Sequence, residues 1–484
     1  MQVLLVNARR SPYSGESISA PQLGLLSLAS VLREGTFHDT AGTDVHFIDD
    51  QLFVLQRPLS TPSEFLRGYR PDIVGIQVLT SSLKNGIKLA SEVRHRHPNA
   101  LTVLGGVGAS PIARKLIEEN AADVVVRGEG EYSFSQLVHE FGKNGRKNFA
   151  KVRGITFRDD EGEVVETPAA PQVVNLDKLP KPARDLADLD LYRRISRGRS
   201  GNLVTSRGCS YACAYCYSKH QWGVGQRRHS AARVVDEIRE LVEVYGFDRI
   251  RIEDDDFVED VPRMQELCDG IAKSGLQGKF EWEAKARPDL INDDMARMLR
   301  ESGCFRLLVG VETLSWNLLK RLGRPVKVDV TERAISCLTN NGIGVQATMI
   351  LGIPGETDEA MRTTITWLQA RLGKNKHDLV SPCFFVPFHQ EVEKDMAKRV
   401  DFTVETSDTD CYTGHIPVTS SMGASIDELW KLYDDMTPSR SQGQYKRIAF
   451  LANLQTVQTR LGLLDGDGAS NLSNEPAALV PEVQ

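Results

Sequence analysis

SRGCSYACAYCYSKH, residues 206–220, places Cys209, Cys213 and Cys216 within eight positions of a 484-residue chain that has eight cysteines in all. No cysteine precedes Cys209, and the other five are scattered at 268, 304, 337, 383 and 411. Random placement would yield such a triple on the order of 0.002 times in a chain of this length, so the cluster needs a chemical reason. Iron–sulfur clusters are held by cysteine thiolates. Three thiolates at this spacing can wrap one end of a cubane and leave its fourth iron without a protein ligand, as a reactive cluster requires. A zinc knuckle is the other reading. Structural zinc takes four ligands, and His220 and His229 stand near enough in sequence to supply the fourth.

Outward from the loop, the chain alternates short apolar runs with helical patterns. Leu203–Ser206 reads as a strand feeding the cysteines. Ser230 is placed to N-cap a helix reaching Tyr245, with Gly246 as its stop. Strands follow at Arg249–Ile252, Phe280–Ala284, Arg306–Val311, Gly344–Leu351 and Leu379–Val386, each separated by helical periodicity. Six strands of one kind over residues 199–390 predict a partial (β/α)6 barrel. Before it, residues 1–145 alternate in the same way, from Val3–Asn7 to the helix Glu131–Phe141, which predicts a doubly wound parallel sheet. Ligands of such sheets lie beyond the carboxyl ends of the strands. Here those ends carry Asn7, Thr80 to Ser82, Gly105 to Ser110 and Gly128 to Gly130, small or polar residues that let a large ligand approach the backbone. Residues 146–198 read as a connector containing a hairpin, Gly154–Phe157 with Val164–Glu166. Residues 391–463 are expected to form a C-terminal helical cap, and the Gly-, Asn-, Ser- and Pro-bearing tail 464–484 to be disordered. The fold class is therefore α/β.

Composition narrows the partners. With 59 basic and 65 acidic residues the net charge is −6, which provides no global attraction to nucleic acid or anionic lipid. No apolar run approaches membrane-spanning length, and the start, MQVLLVNARR, enters a strand at once instead of a signal peptide. A cytoplasmic protein acting on a small molecule is the expectation.

CxxxCxxC after a strand, with aromatic Tyr215 before the last cysteine, resembles the radical SAM superfamily. The resemblance implies that Cys209, Cys213 and Cys216 hold a [4Fe–4S] cluster whose open iron binds S-adenosylmethionine (SAM), and that reductive cleavage gives a 5′-deoxyadenosyl radical. Three further segments match the family by position. IEDDDF, residues 252–257, implies SAM-contacting roles for Glu253, Asp254 and Asp255. LLVGVET, 307–313, implies that Glu312 lies near SAM, and ATMILGIPGET, 347–357, that Gly352, Pro354 and Gly355 pack on adenine. LLVNA, APQLGLLSLASVL, PDIVGIQVLT, VLGG and ADVVVRGEGE, together with NLDKLPKPARDL, extend the likeness to the cobalamin-binding-domain radical SAM family over roughly residues 1–390. That family implies cobalamin over the barrel mouth and C- or P-methylation, as in antibiotic and other secondary-metabolite biosynthesis. It also implies an external electron donor of the flavodoxin or ferredoxin type. The chain lacks DxHxxG, so no histidine ligand to cobalt is identified, and SPCFFVPFHQ, 381–390, departs from the family's usual stretch. Cobalamin-independent dehydration, epimerisation or rearrangement of an aminoglycoside- or sugar-like substrate, as in the apramycin pathway, is the alternative outcome. A tRNA methylthiotransferase is disfavoured, because residues 1–208 have no cysteine for a second cluster. The acidic run Glu253 to Asp256 with Glu259 and Asp260 offers charge-assisted bonds to an amine-bearing substrate, or is simply a solvated face. Tyr217, Trp222, Trp282 and His389 are candidate pocket aromatics. No catalytic acid or base is identified.

Overall fold

In the computed structural model the described residues are 1–11, 20–52, 65–195, 200–387 and 390–404, with 419–420, 429 and 431–433. Two sheets organise them, the first mixed and the second all parallel. The first has the order β2-β1-β3-β4-β5-β6-β7, where β1 is Gln2–Asn7, β2 Asp44–Asp49, β3 Ile73–Gln77, β4 Leu101–Gly105, β5 Val124–Val126, β6 Ile155–Arg158 and β7 Val164–Glu166. The strands β1 to β5 are mutually parallel. Successive side chains of a strand point to opposite faces, and β1 shows the consequence. Leu4 and Val6 join Leu89, Ala90 and Val93 of the helix Leu83–Arg96 on one face. Val3 and Leu5 join Leu25, Ala29 and Leu32 of the helix Leu23–Glu34 and Phe134, Leu137 and Val138 of Gly130–Asn144 on the other. Burial on both faces is why β1 and β5 read as continuous apolar runs with no alternation.

The hairpin expected within the connector belongs to this sheet instead. β6 pairs antiparallel with β5, Val126 opposite Ile155 and Val124 opposite Phe157, and Ile155 and Phe157 enter the same core as Phe134 and Val138. The boundary expected at residue 145 therefore cuts through the sheet. The polar turn at Asp159–Gly162 makes the hairpin look self-sufficient in sequence, whereas its apolar face needs the exposed edge of β5 to be covered.

The second sheet contains β8 (Ser200–Leu203), β11 (Arg249–Ile252), β12 (Glu281–Ala286), β13 (Cys304–Glu312), β14 (Gly344–Leu351) and β15 (Leu379–Phe384), in sequence order and all parallel. This is the expected open six-stranded barrel, with its core of Ile250, Trp282, Leu307, Val345 and their neighbours. The strand before the cysteines is displaced from its expected place. β8 ends at Leu203, and the chain leaves the barrel to form β9 (Ser206–Arg207), antiparallel to β10 (Arg227–Arg228). Ser230 caps the helix Ala231–Arg239, accepting from the Arg233 N–H, and a π-helical turn, Glu240–Val244, continues it. Where a helical cap was expected, the described residues contain the helix Gln390–Ala397 and a two-stranded antiparallel pair, β16 (Thr403–Val404) with β17 (Thr419–Ser420). Leu429, Leu432 and Tyr433 pack on the barrel core, and the rest of 425–463 and the tail 464–484 lie outside the described residues. Among the described residues no helix is long and apolar enough to cross a membrane.

The connector joins the two units through buried polar contacts. Ala183 donates its N–H to Leu26 O at 3.0 Å. The Tyr192 hydroxyl donates to Asp49 at 2.5 Å. Arg184, 1% exposed, reaches Glu237 at 2.7 Å and donates to Asn202 O at 2.8 Å. A buried ion pair is weak evidence for net stability, but removing one partner strands the other charge. Arg184→Met is expected to cost about 3 kcal/mol or more, read as a lower urea unfolding midpoint. Adding Glu237→Gln to that variant is expected to recover part of the loss.

Candidate functional site at the junction of the two sheets

The cysteine loop is shaped by contacts that only glycine permits. Gly208 has φ +90°, and a Cβ there would sit 2.3 Å from Gly225 O. Cys209 bridges to Val224, and Gly225 N donates to Cys209 O at 3.3 Å. Ala214 is buried against Leu318, Leu322 and Ile353, and its N–H donates to Leu322 O. The loop thus lies over the carboxyl ends of the barrel strands.

The donor set fits an iron–sulfur cluster. Burial pushes the Cys209 thiol up to about 12 and Cys216 up to about 11, so neither becomes a thiolate without a compensating cation. The backbone N–H of Ser218 donates to Cys216 Sγ at 3.4 Å, and Arg287 Nη1 lies 3.8 Å from Cys213 Sγ. Such donors stabilise cluster sulfurs. Sulfurs of a tetrahedral zinc site lie about 3.8 Å apart. Here Cys209 Sγ groups within 4.8 Å with carboxylate oxygens of Asp256 and Glu259 instead of with the other two thiols. The histidines that a zinc site would need are engaged elsewhere, His220 with Asp395 at 3.2 Å and His229 with Asp177 at 3.1 Å.

The acidic run divides by role. Asp254 is 1% exposed; its carboxylate accepts from Thr205 N at 2.6 Å, Thr205 Oγ1 at 2.5 Å and Ser206 Oγ at 2.6 Å. It turns the chain from β8 into β9 and is committed to that task, which corrects its expected contact with SAM. Asp255 accepts from the Ser218 hydroxyl at 2.7 Å, two residues beyond Cys216, and lines the central cavity. Glu253 lines the same cavity and pairs with Arg251 at 3.2 Å and Lys285 at 3.8 Å. Asp256, a member of the run given no individual role, is buried beside Cys209. Burial, and then Glu259, push its carboxyl up to about 7.

Glu312 ends β13 at a register shift opposite β14, with φ +64°. A positive φ on a non-glycine residue is strained and recurs at functional sites. Its carboxylate is held up from the ordinary range by burial, against the opposing pull of Arg324, and accepts from Thr348 at 3.4 Å. Tyr215, within the cysteine loop, packs on the Leu318, Leu322 and Ile353 cluster with its hydroxyl buried and unpartnered. The turn Gly352-Ile353-Pro354-Gly355 is packed by the chain itself: a Cβ on Gly352 would meet Leu429 at 3.0 Å, and one on Gly355 would meet Val400 at 3.4 Å. Both glycines have positive φ, so the turn itself accounts for them. Among the candidate aromatics, Trp282 is a core residue donating to Ser302 O, Tyr217 stacks on His220, Trp222 borders both cavities, and His389 lies outside the described residues.

Two cavities meet here. A slot of about 240 Å³ opens at the carboxyl ends of β3, β4 and β5, lined by Gly75, Gly105, Gly106, Gly128, Gly130 and apolar neighbours. A Cβ on Gly75 would come within 3.1 Å of Leu5 and Phe134, and one on Gly130 within 3.2 Å of Leu28, so side chains there would close it. The glycines form a cradle suited to a flat apolar group of cobalamin. A polar chamber of about 940 Å³ lies between the sheets. Arg207 borders both cavities and clamps the units together, donating to Glu129 at 2.6 Å and Glu131 at 2.5 Å, while Trp222 lies against its guanidinium. Burial would raise the Glu131 carboxyl, but Arg207 brings it below its ordinary value.

A B12 binding domain model matches residues 19–138, and the Radical SAM superfamily model matches residues 203–368. The chain is 30% identical over 348 residues to the uncharacterized methyltransferase PH0819 of Pyrococcus horikoshii, covering 72% of each. This chain belongs to the cobalamin-binding radical SAM family. Its cofactors are a [4Fe–4S] cluster, SAM and cobalamin. The cobalamin-dependent radical SAM enzyme OxsB, with aqua-cobalamin and SAM bound, shares the fold with TM-score 0.71 at 20% identity, over 90% of this chain and 66% of that one. The radical SAM methyltransferase TsrM from Kitasatospora setae, with tryptophan and a SAM analogue, gives TM-score 0.68 at 20% identity, over 89% and 88%. The chain spans just under two thirds of OxsB.

The arginines around the site were missed from sequence. Arg207, Arg287 and Arg324 carry no spacing signal, and only their placement in the fold beside carboxylates and thiols marks them. Cys213→Ala in the family member is expected to reduce iron from about four per chain and to abolish SAM cleavage; wild-type iron and cleavage in that variant would remove Cys213 from the ligand set.

Proposed function

We propose that this enzyme transfers a methyl group from SAM to carbon in a polar small molecule, in secondary-metabolite biosynthesis, with electrons from an external flavodoxin- or ferredoxin-type donor. The observation that carries the reading is the shared chamber. Its walls come from both sheets: Asn7, Arg10, Asp49 and Gln51 from the cobalamin-domain side, and Glu253, Asp255, Gln346 and Ser381 from the barrel. When bound, the cluster supplies the electron for SAM cleavage and cobalamin supplies the methyl group. Cys209, Cys213 and Cys216 would hold the cluster, and the glycine-lined slot with Glu129 and Glu131 at its rim would seat cobalamin. Asp255 and Glu312 would orient SAM, with Glu253 and its Arg251 and Lys285 partners behind them. The chamber's mixed charges suit a substrate with several polar groups more than an apolar one. The methyltransferases PH0819 and TsrM support methyl transfer over cobalamin-independent dehydration of an aminoglycoside-like substrate.

The reaction is tested with anaerobically reconstituted, cobalamin-loaded protein, a chemical reductant, SAM carrying a CD3 methyl group and a polar metabolite extract. Methyl transfer is expected to give S-adenosylhomocysteine and 5′-deoxyadenosine in equal amounts, with a polar product heavier by one CD3 group. Substrate-dependent 5′-deoxyadenosine with no S-adenosylhomocysteine and no labelled product would instead establish dehydration, epimerisation or rearrangement.

A further inference from the structure

We infer that Arg287, held by Asp289 and Tyr211, is a positioning residue that sets the reduction potential of the cluster. Arg287 follows directly on β12 and is 6% exposed. Its Nε donates to Asp289 Oδ1 at 3.0 Å and its Nη2 to Asp289 Oδ2 at 2.8 Å. This two-point fork fixes the guanidinium plane. The Tyr211 ring, itself part of the cysteine loop, lies 3.5 Å from Arg287 Cζ. With one edge pinned and one face covered, the remaining nitrogen, Nη1, is left 3.8 Å from Cys213 Sγ.

The inference rests on the cluster assignment. Reduction adds one electron to a centre already carrying three thiolates, so the product is one unit more negative. A fixed cation in a weakly screening interior favours that product over the oxidised form. Asp289 offsets part of that field, and an asparagine in its place keeps an acceptor for the guanidinium while removing the charge. Removal of the cation and removal of the anion should therefore move the potential in opposite directions. Loss of packing alone has no reason to produce that sign reversal.

The test uses full-length protein reconstituted with iron and sulfide, without SAM, as wild type, Arg287→Met, Arg287→Lys and Asp289→Asn. Iron per chain is counted, and the cluster is titrated with dithionite under EPR. Arg287→Met is expected to shift the midpoint to lower potential, Arg287→Lys to stay nearer wild type, and Asp289→Asn to shift it higher. Unmoved midpoints, or shifts of the same sign in Arg287→Met and Asp289→Asn, would overturn the role of Arg287. If Arg287→Met fails to retain iron, Asp289→Asn decides alone: a higher midpoint supports the role, and an equal or lower one overturns it. A wild-type protein that takes up no iron–sulfur cluster would overturn the cluster assignment, and the role of Arg287 with it.

Discussion

The guanidinium of Arg207 is gripped by Glu129 and Glu131, and the geometry of the whole site depends on that grip. Arg207 is two residues before Cys209, whereas the glutamates stand at the carboxyl end of β5 and the start of the helix Gly130–Asn144. The contact fixes the cobalamin-type sheet against the cysteine loop. Arg227 on β10 adds a second cation to Glu129, so the two-stranded β9–β10 ribbon carries both anchors. Buried charges separated from their partners are costly, which makes this arrangement far narrower in its allowed geometries than apolar packing would be. The connector reinforces it through Arg184, Tyr192 and Ala183.

Around the cysteines, burial and charge oppose each other. Burial disfavours the thiolates of Cys209 and Cys216 and leaves the Asp256 carboxyl near neutrality. Arg287 and Arg324 bring positive charge to the side of Cys213. The loop is therefore asymmetric, cationic beside Cys213 and carboxylate-rich beside Cys209. Glu312 adds stored backbone strain at the end of β13, where the register shift turns its carboxylate toward Arg324 and Thr348.

Most of the elements were legible because their signals are local. The runs at β1, β3 and β5 are apolar segments buried on both faces, and Ser230 capped its helix as its position suggested. The antiparallel addition of β6 and the early end of β8 were not legible. The first depends on an edge presented by β5, and the second on a carboxylate at Asp254 that is 49 residues from the backbone it holds. Neither depends on a pattern within the segment it affects. The pairing of Thr403–Val404 with Thr419–Ser420 is likewise a tertiary choice that neither short segment signals by itself.

The sequence by itself determined the cysteine triad, the acidic strand end and the glycine-marked turns, because ligand type and spacing along a chain are local chemistry. Which of those residues face a ligand was decided only by the tertiary structure. Asp254 and Asp255 are adjacent and chemically alike, yet one is consumed by the backbone of Thr205 and the other opens on the chamber. The arginines that balance the buried charge were also invisible in one dimension, since the effect of a charge depends on its distance through space and on the water excluded around it.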